Sequence, residues 1–348
     1  MKLSDFDYSL DPSLIAQIPA AQRDRCRLLV LSRETGKIQH RQFYELIEYL
    51  EPGDLLILND TQVFAARLYA RKERTGGSLQ LLLIRPIENG IWEALISGSY
   101  SIGQRILFKD ESFGEIVGEK EKGQVYVRFY VGSDFSKWID RVGKTPLPPY
   151  IKRNHTNGQQ EEQEENDRLA YQTVYAAVPG SVAAPTAGLH FTQSLLDQIR
   201  AKGIEIYTLT LHVGPGTFKS IRVSEIEQHT MEAEPVRIPF STAMAIQKAK
   251  ESRKRVVAVG TTAVRALESA ALASAGLGAM DGLTDLFIVP GYRFKVIDAL
   301  ITNFHLPRST LLMLVSALTG REQLLTVYQE AIQERYRFYS FGDAMFIL

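Results

Sequence analysis

The sequence predicts an α/β protein in which a large α/β domain, residues 1–62 and 150–348, carries an inserted small β-barrel-like domain, residues 63–149. Three observations predict it. After Tyr171, short apolar runs alternate with amphipathic stretches, the pattern of strand–helix layering with parallel character. Between Val63 and Val131 the texture changes to the β-rich words LQLLLIRPI, IWEALISG, QRILF, GEIVGE and QVYVRFYV, separated by Gly, Asn or Asp. Strands at such regular spacing form a small sheet or barrel. Finally, a length of 348 residues favours about two domains.

In chain order, RLLVL (27–31) and DLLILND (54–60) read as strands, with FYELIEYL (43–50) helical between them and Pro52-Gly53 a turn. KTPLPPYIKR is an extended, proline-rich join, and 154–168 is polar, acidic and low in complexity. That composition buries too little surface to offset its ordering entropy and predicts a flexible linker. Beyond it, SLLDQIRAKG (194–203) is a helix ended by Gly203, IEIYTLTLHV (204–213) a strand, STAMAIQKAKESRK (241–254) a helix and RVVAVG (255–260) a buried strand. TTAVRALESAALAS (261–274) is a helix and DLFIVP (285–290) a strand; STLLMLVSALTG (309–320) and REQLLTVYQEAIQERY (321–336) are helices.

With 45% hydrophobic and 23% charged residues the chain has an ordinary globular composition. No apolar run approaches the roughly 20 residues that span a bilayer. MKLSDFDYSLDPSL is acidic and polar where a signal peptide is basic and then apolar. Cys26 alone offers neither an internal disulfide nor zinc-ligand spacing. A cytosolic protein without membrane contact is expected. Lys plus Arg equals Asp plus Glu at 40 each, a balance that weighs mildly against a nucleic-acid binder. It leaves room for a local basic face, for which RLYARKER (67–74), IKR (151–153) and SRKR (252–255) are candidates, although short basic runs are more often solvated surface.

Polar words cluster at the joints of the α/β half. GSVAAPTAGLHFT (180–192) leads into a helix and leaves His190 near its start; a structural turn is the plainer reading. LHVGPGTF (211–218) lies just past a strand, where open α/β sheets bind ligands, but it lacks the dinucleotide fingerprint. VVAVGTTAVRALES (256–269) runs a strand into a helix whose free N–H groups suit a phosphate or carboxylate, and Thr is also simply a good cap. Arg265 and Glu268 are near helical spacing, as for a surface pair. ITNFHLPRST (301–310) sets Asn303 and His305 before another capped helix. None of the six histidines sits in HExxH or a similar ligand pair, so no obligatory metal is expected. Walker A, Gly-x-Ser-x-Gly and a Cys nucleophile are likewise missing from the sequence.

Longer words go further. FDYSLDPSLIAQIPAAQRD, GDLLILNDTQVFAARL, YQTVYA, GSVAAPTAGLHFT, TLHVGPGTF, VVAVGTTAVRALES, TDLFIVPGYRF, DALITNFHLPRSTLLMLVSAL and YRFYSFGDAMFI follow one another almost to Leu348. In content and order the chain resembles the S-adenosylmethionine:tRNA ribosyltransferase-isomerases of queuosine biosynthesis. The resemblance implies transfer and isomerisation of ribose from S-adenosylmethionine (SAM), a co-substrate rather than a prosthetic group. The acceptor would be 7-aminomethyl-7-deazaguanine at the wobble position of tRNA with a GUN anticodon. Epoxyqueuosine-tRNA, adenine and methionine would be the products. Three departures stand out: HTMEAE (229–234) has Glu232 where the family usually has a second histidine, Gln80 stands where it tends to have Glu, and ISGSYSIG (96–103) replaces a more basic patch.

The implied chemistry asks for proton traffic near neutrality, which histidine suits. On the family-like words, His190 and His212 are expected to move protons, assisted by His229 and Glu234. SAM is expected at the Gly214–Thr217 turn with Gly216, at Gly260, Thr261, Thr262 and Arg265 of the helix start, and beside Asn303 and His305. Arg67, Arg71, Lys72, Lys152 and Arg153 flank the proposed domain cleft as tRNA phosphate ligands. Two rivals carry less. A SAM-dependent RNA methyltransferase would show a glycine-rich first strand-turn-helix followed by an acidic ribose ligand. A non-catalytic RNA-binding module does not explain the polar words at the strand ends.

Overall fold

A computed structural model describes residues 1–132, 134–153, 160–218, 221, 223–273 and 277–348, with the side chains at 160, 161, 217 and 218 outside that description. In chain order the strands begin with β1 (Arg27–Leu31), β2 (Ile38–Gln42), β3 (Leu55–Asn59) and β4 (Thr61–Val63). The next six are β5 (Arg67–Lys72), β6 (Ser78–Pro86), β7 (Ile91–Ser97), β8 (Arg105–Leu107), β9 (Phe113–Glu121) and β10 (Gln124–Tyr130), followed by helices α1 (Phe135–Val142) and α2 (Gln160–Ala170). Then come β11 (Val178–Ser181), α3 (Gln193–Ala201), β12 (Glu205–Leu211), β13 (Glu234–Ile238), α4 (Phe240–Glu251), β14 (Val256–Val259) and α5 (Thr261–Ala273). The chain closes with β15 (Met280–Thr284), β16 (Ala299–Asn303), α6 (Thr310–Thr319), α7 (Arg321–Gln333) and β17 (Ala344–Ile347).

Nine strands form one sheet in the order β15-β13-β12-β3-β14-β16-β17-β1-β2. Its centre, β12-β3-β14-β16, is parallel. Every residue of β3, β14 and β16 is buried, as expected of strands covered on both faces. Alternation divides them between two cores: Leu55, Ile57, Val256 and Ala258 pack on one face, and Leu56, Leu58, Val257 and Val259 on the other.

Strands β5 to β10 close into an antiparallel barrel in the order β10-β7-β6-β5-β8-β9. Alternate residues such as Leu79, Leu81, Leu83, Val125 and Val127 fill it, and α1 packs its Trp138 into that core. A large α/β domain carrying a small barrel is the fold class expected. The barrel springs from β4, which pairs in parallel with β11. At its base Arg67 and Lys144 exchange backbone hydrogen bonds, N to O 3.1 Å one way and 2.8 Å the other.

Two sequence readings need correction. DLFIVP (285–290) is not a strand; the edge strand is Met280–Thr284. Ile288 is buried, so the apolar run meets the core through side chains, and the Thr284 hydroxyl caps the Leu286 N–H instead of a ladder partner. The stretch read as a flexible linker, 154–168, carries ordered structure in α2, while 154–159 lie outside the described residues. Gln and Glu are good helix formers, and α2 is tied down by Arg153–Asp167 and Lys144–Glu164 ion pairs.

Candidate functional site

The carboxyl ends of the four parallel strands converge, and each feeds a polar word. Asn59 ends β3 and braces its neighbours: its Nδ2 donates to the Leu211 carbonyl at 3.0 Å and to Thr262 Oγ1 at 3.1 Å, while its Oδ1 accepts from the Leu211 N–H at 2.9 Å. Strand β12 leads into His212 and Gly214, β14 into Gly260 and the start of α5, and β16 ends at Asn303 and leads into His305.

Two cavities open there. A cleft of about 850 Å³ separates the barrel from the large domain, with Phe64, Trp92, Glu93 and Lys120 on the barrel side and His212, Gly214, Glu232 and Glu234 opposite. Behind it lies a cavity of about 80 Å³ lined by Gly260, Thr261, Thr262, Arg265, Asn303 and His305. Val213 borders both. Between them Arg265 Nη1 pairs with Glu234 Oε2, each side chain 5% exposed. The other Glu234 oxygen accepts the Gly214 N–H at 2.8 Å. The surface pairing read for Arg265 and Glu268 is therefore corrected: both are buried. Glu268 instead accepts the Lys295 and Val296 N–H groups at 2.9 and 3.0 Å.

His212 faces the cleft and bonds Thr61 Oγ1 through Nδ1 at 2.7 Å. Burial pulls its pKa below the ordinary histidine value, partly offset by Asp60, so the ring is neutral at pH 7. Backbone passes close by: a Cβ on Gly180 would stand 2.8 Å from the ring, and one on Gly216 would stand 2.7 Å from Glu232 Oε2. At Gly180, with φ +148° against the His212 ring, a side chain does not fit, whereas at Gly216 the Glu232 carboxylate would have to swing aside. His305 is buried with Nε2 at 2.7 Å from Thr302 Oγ1, and burial lowers its pKa to about 3.

The other expected histidines lie elsewhere. His190 is buried between two carbonyls, Nδ1 at 3.1 Å from Ala187 O and Nε2 at 3.0 Å from Gly342 O. It borders neither of these two cavities. Burial lowers its pKa against the pull of those carbonyls. His229 packs its edge against Phe287, also outside both cavities. Gly216 lies in the turn after β12, and the Thr217 side chain falls outside the described residues.

Among the expected tRNA ligands, Arg71 and Lys152 are exposed and Lys72 is half-buried, bonded to Ser99. Arg67 donates to the Leu147 carbonyl at 2.8 Å. Arg153 is forked onto Asp167 at 2.6–3.1 Å and reaches the Gln17 carbonyl. These two arginines brace the base of the barrel and α2. In SRKR, Arg255 precedes β14 and pairs with Asp54, placing it at the opposite end of the sheet from the cleft.

Sequence reasoning did not assign Asn59, Thr61, Trp92 or Glu93. The first two lie in the word GDLLILNDTQVFAARL, whose polar tail after an apolar strand was the available signal. Glu93 sits at 1% exposure between Arg85 and Lys120. Burial opposes its ionisation, but the two cations hold its carboxyl below the usual range.

Comparison with known proteins agrees with this architecture. A family model described as queuosine biosynthesis protein matches residues 3–347. Curated proteins named S-adenosylmethionine:tRNA ribosyltransferase-isomerase from Citrifermentans bemidjiense and Halothermothrix orenii are 50% and 49% identical over 351 residues, covering all of both chains. A crystal structure of S-adenosylmethionine tRNA ribosyltransferase from Thermotoga maritima is 38% identical, with a TM-score of 0.56 over 99% of this chain and 100% of that one. The chain thus belongs to the queuosine biosynthesis protein family, whose relatives by name are transferase–isomerase enzymes.

Proposed function

We propose that this chain transfers and isomerises the ribosyl moiety of SAM onto 7-aminomethyl-7-deazaguanine at the wobble position of tRNA with a GUN anticodon. Epoxyqueuosine-tRNA, adenine and methionine are the products, and the cytosol is the compartment. The observation that carries this reading, beside family membership, is the pair of adjoining cavities at the strand ends. A large cleft suits two reacting nucleosides, and a small polar recess suits the amino-acid end of SAM.

The start of α5, with Gly260, Thr261 and Thr262, supplies N–H groups for the methionine carboxylate, with Asn303 and His305 across the recess. Arg265, which lines the recess, is held by Glu234, which lines the cleft. The acceptor amine, with a pKa near 10, must attack while neutral, which costs roughly 4 kcal/mol for about 3 units at pH 7. A desolvated wall lowers that cost by disfavouring the ammonium form, and a base is needed to accept the proton. His212, neutral and facing the cleft, is the base we assign to proton removal, oriented through Thr61. Adenine leaves when protonated, a task for an acid in the same cleft. Arg71, Lys72 and Lys152 are the cations left to meet RNA outside it.

The test is a product assay with purified protein, SAM and tRNA carrying the aminomethyl base. Adenine and methionine released together, only with that tRNA, is the expected result. S-adenosylhomocysteine would instead mean methyl transfer, and no turnover would return a pure RNA-binding role.

A further inference from the structure

Four neighbouring barrel strands each send one residue to a single cluster on the cleft side. Arg85 comes from β6, Glu93 from β7 and Gln124 from β10, while Lys120 comes from β9. Arg85 Nε donates to Glu93 Oε2 at 2.7 Å, and Lys120 Nζ donates to Oε1 at 2.7 Å. Gln124 Nε2 also donates to Oε1. The acid is buried, while the Arg85 and Lys120 side chains are 57% and 46% exposed. The strand register shifts beside Arg85 and again beside Gln124. Such bulges re-aim side chains and concentrate near functional sites.

We propose that this cluster is a phosphate subsite for the tRNA: Glu93 is a positioning residue that holds Arg85 and Lys120 for the phosphodiester flanking the modified nucleotide. The inference rests on the ribosyl-transfer reading and adds to it where the RNA backbone is gripped. Three physical arguments support it. Two cations against one carboxylate leave the cluster itself with a net positive charge, while Glu121 and Asp140 also line this side of the cleft. Among the described residues the Arg85 side chain bonds only through Nε and the Lys120 side chain makes one bond, so donors remain for an anion. A surface cation otherwise swings freely, whereas one anchored on a buried acid loses less entropy when it grips a phosphate. Trp92, stacked on Phe135 at 4.8 Å between centroids, borders the same stretch of cleft, and aromatic walls accept unstacked bases beside a bound backbone.

The test uses the full chain and an anticodon stem–loop RNA carrying the precursor base. Wild-type adenine release with SAM is measured first; its absence overturns the functional reading itself. RNA affinity is then measured against salt for wild type and for Arg85→Gln/Lys120→Gln, with a melting curve to confirm folding. The double variant is expected to lower the slope of log K against log salt by about 0.7, the value for one phosphate neutralised on a single strand. It should also raise KM for RNA about tenfold or more while leaving KM for SAM unchanged. Lys120→Arg should recover most of the affinity that Lys120→Gln forfeits, because the charge is retained. A folded double variant with wild-type salt slope and KM would overturn the phosphate subsite while leaving ribosyl transfer intact.

Discussion

Glu234 and Arg265 form a buried ion pair between an antiparallel strand and the first turns of a helix, at the wall shared by the two cavities. Removing one partner strands the other charge without solvent, which typically costs about 3–5 kcal/mol. Glu234→Ala is therefore expected to unfold at markedly lower urea than wild type. Urea titration followed by fluorescence checks this, and an unchanged midpoint would mean that solvent reaches Arg265.

His212 and His190 should respond in opposite ways to substitution. His212→Asn is expected to lower adenine release roughly 10²–10⁴-fold, the usual span for a missing general base, while SAM binding persists. His190→Gln is expected to lower stability and leave turnover per folded molecule near wild type, because its ring bonds only backbone carbonyls. Active-site titration separates the two quantities, and a turnover loss in His190→Gln without destabilisation would return that residue to the chemistry.

Acid should destabilise the fold through His305. Its folded pKa of about 3 lies below the ordinary 6.5, so between these values the unfolded chain binds the extra proton. Stability is complete above about pH 6.5 and falls as pH drops, by about 1.36 kcal/mol per unit, or about 2 kcal/mol on reaching pH 5. His305→Gln is expected to show a shallower decline over that range. Parallel declines for variant and wild type would contradict the neutral buried ring.

Outside the cleft, the basic residues divide by what they already hold. Neutralising Arg71, Lys72 and Lys152 together should flatten the salt dependence of tRNA binding, by about 0.7–0.9 for each phosphate left without its cation. Arg153→Ala should instead lower the melting temperature, since Asp167 loses its fork. A loss of about 2 kcal/mol is in proportion to a charge-assisted pair of this kind. Binding isotherms at several salt concentrations, paired with melting curves, distinguish the two classes.

Much of the sheet was legible because strands buried on both faces are written as unbroken apolar runs. RVVAVG and DLLILND are such runs, and the glycine and threonines after the first mark where the chain turns into a helix. Cavity membership of Gly260, Arg265, Asn303 and His305 was legible for the same reason: they follow strands whose ends must converge. The partner of Arg265 was not. Glu234 lies 31 residues earlier on a strand of alternating exposure, and only sheet pairing brings it close, while Glu268 at helical spacing looked the better match. Strand 285–290 failed because an apolar run records burial but not whether its backbone finds a ladder. The acidic stretch ending at Ala170 failed because composition weighs solvation and does not see Arg153 and Lys144 waiting across space.

The two backbone bonds joining Arg67 to Lys144 carry a topological consequence. All six barrel strands lie between those residues, and the order of the nine-stranded sheet contains none of them. A segment whose ends already meet constrains its host little more than a short loop, because closure entropy grows only with the logarithm of length. The barrel can therefore close on itself without threading the sheet, while still supplying one wall of the larger cavity.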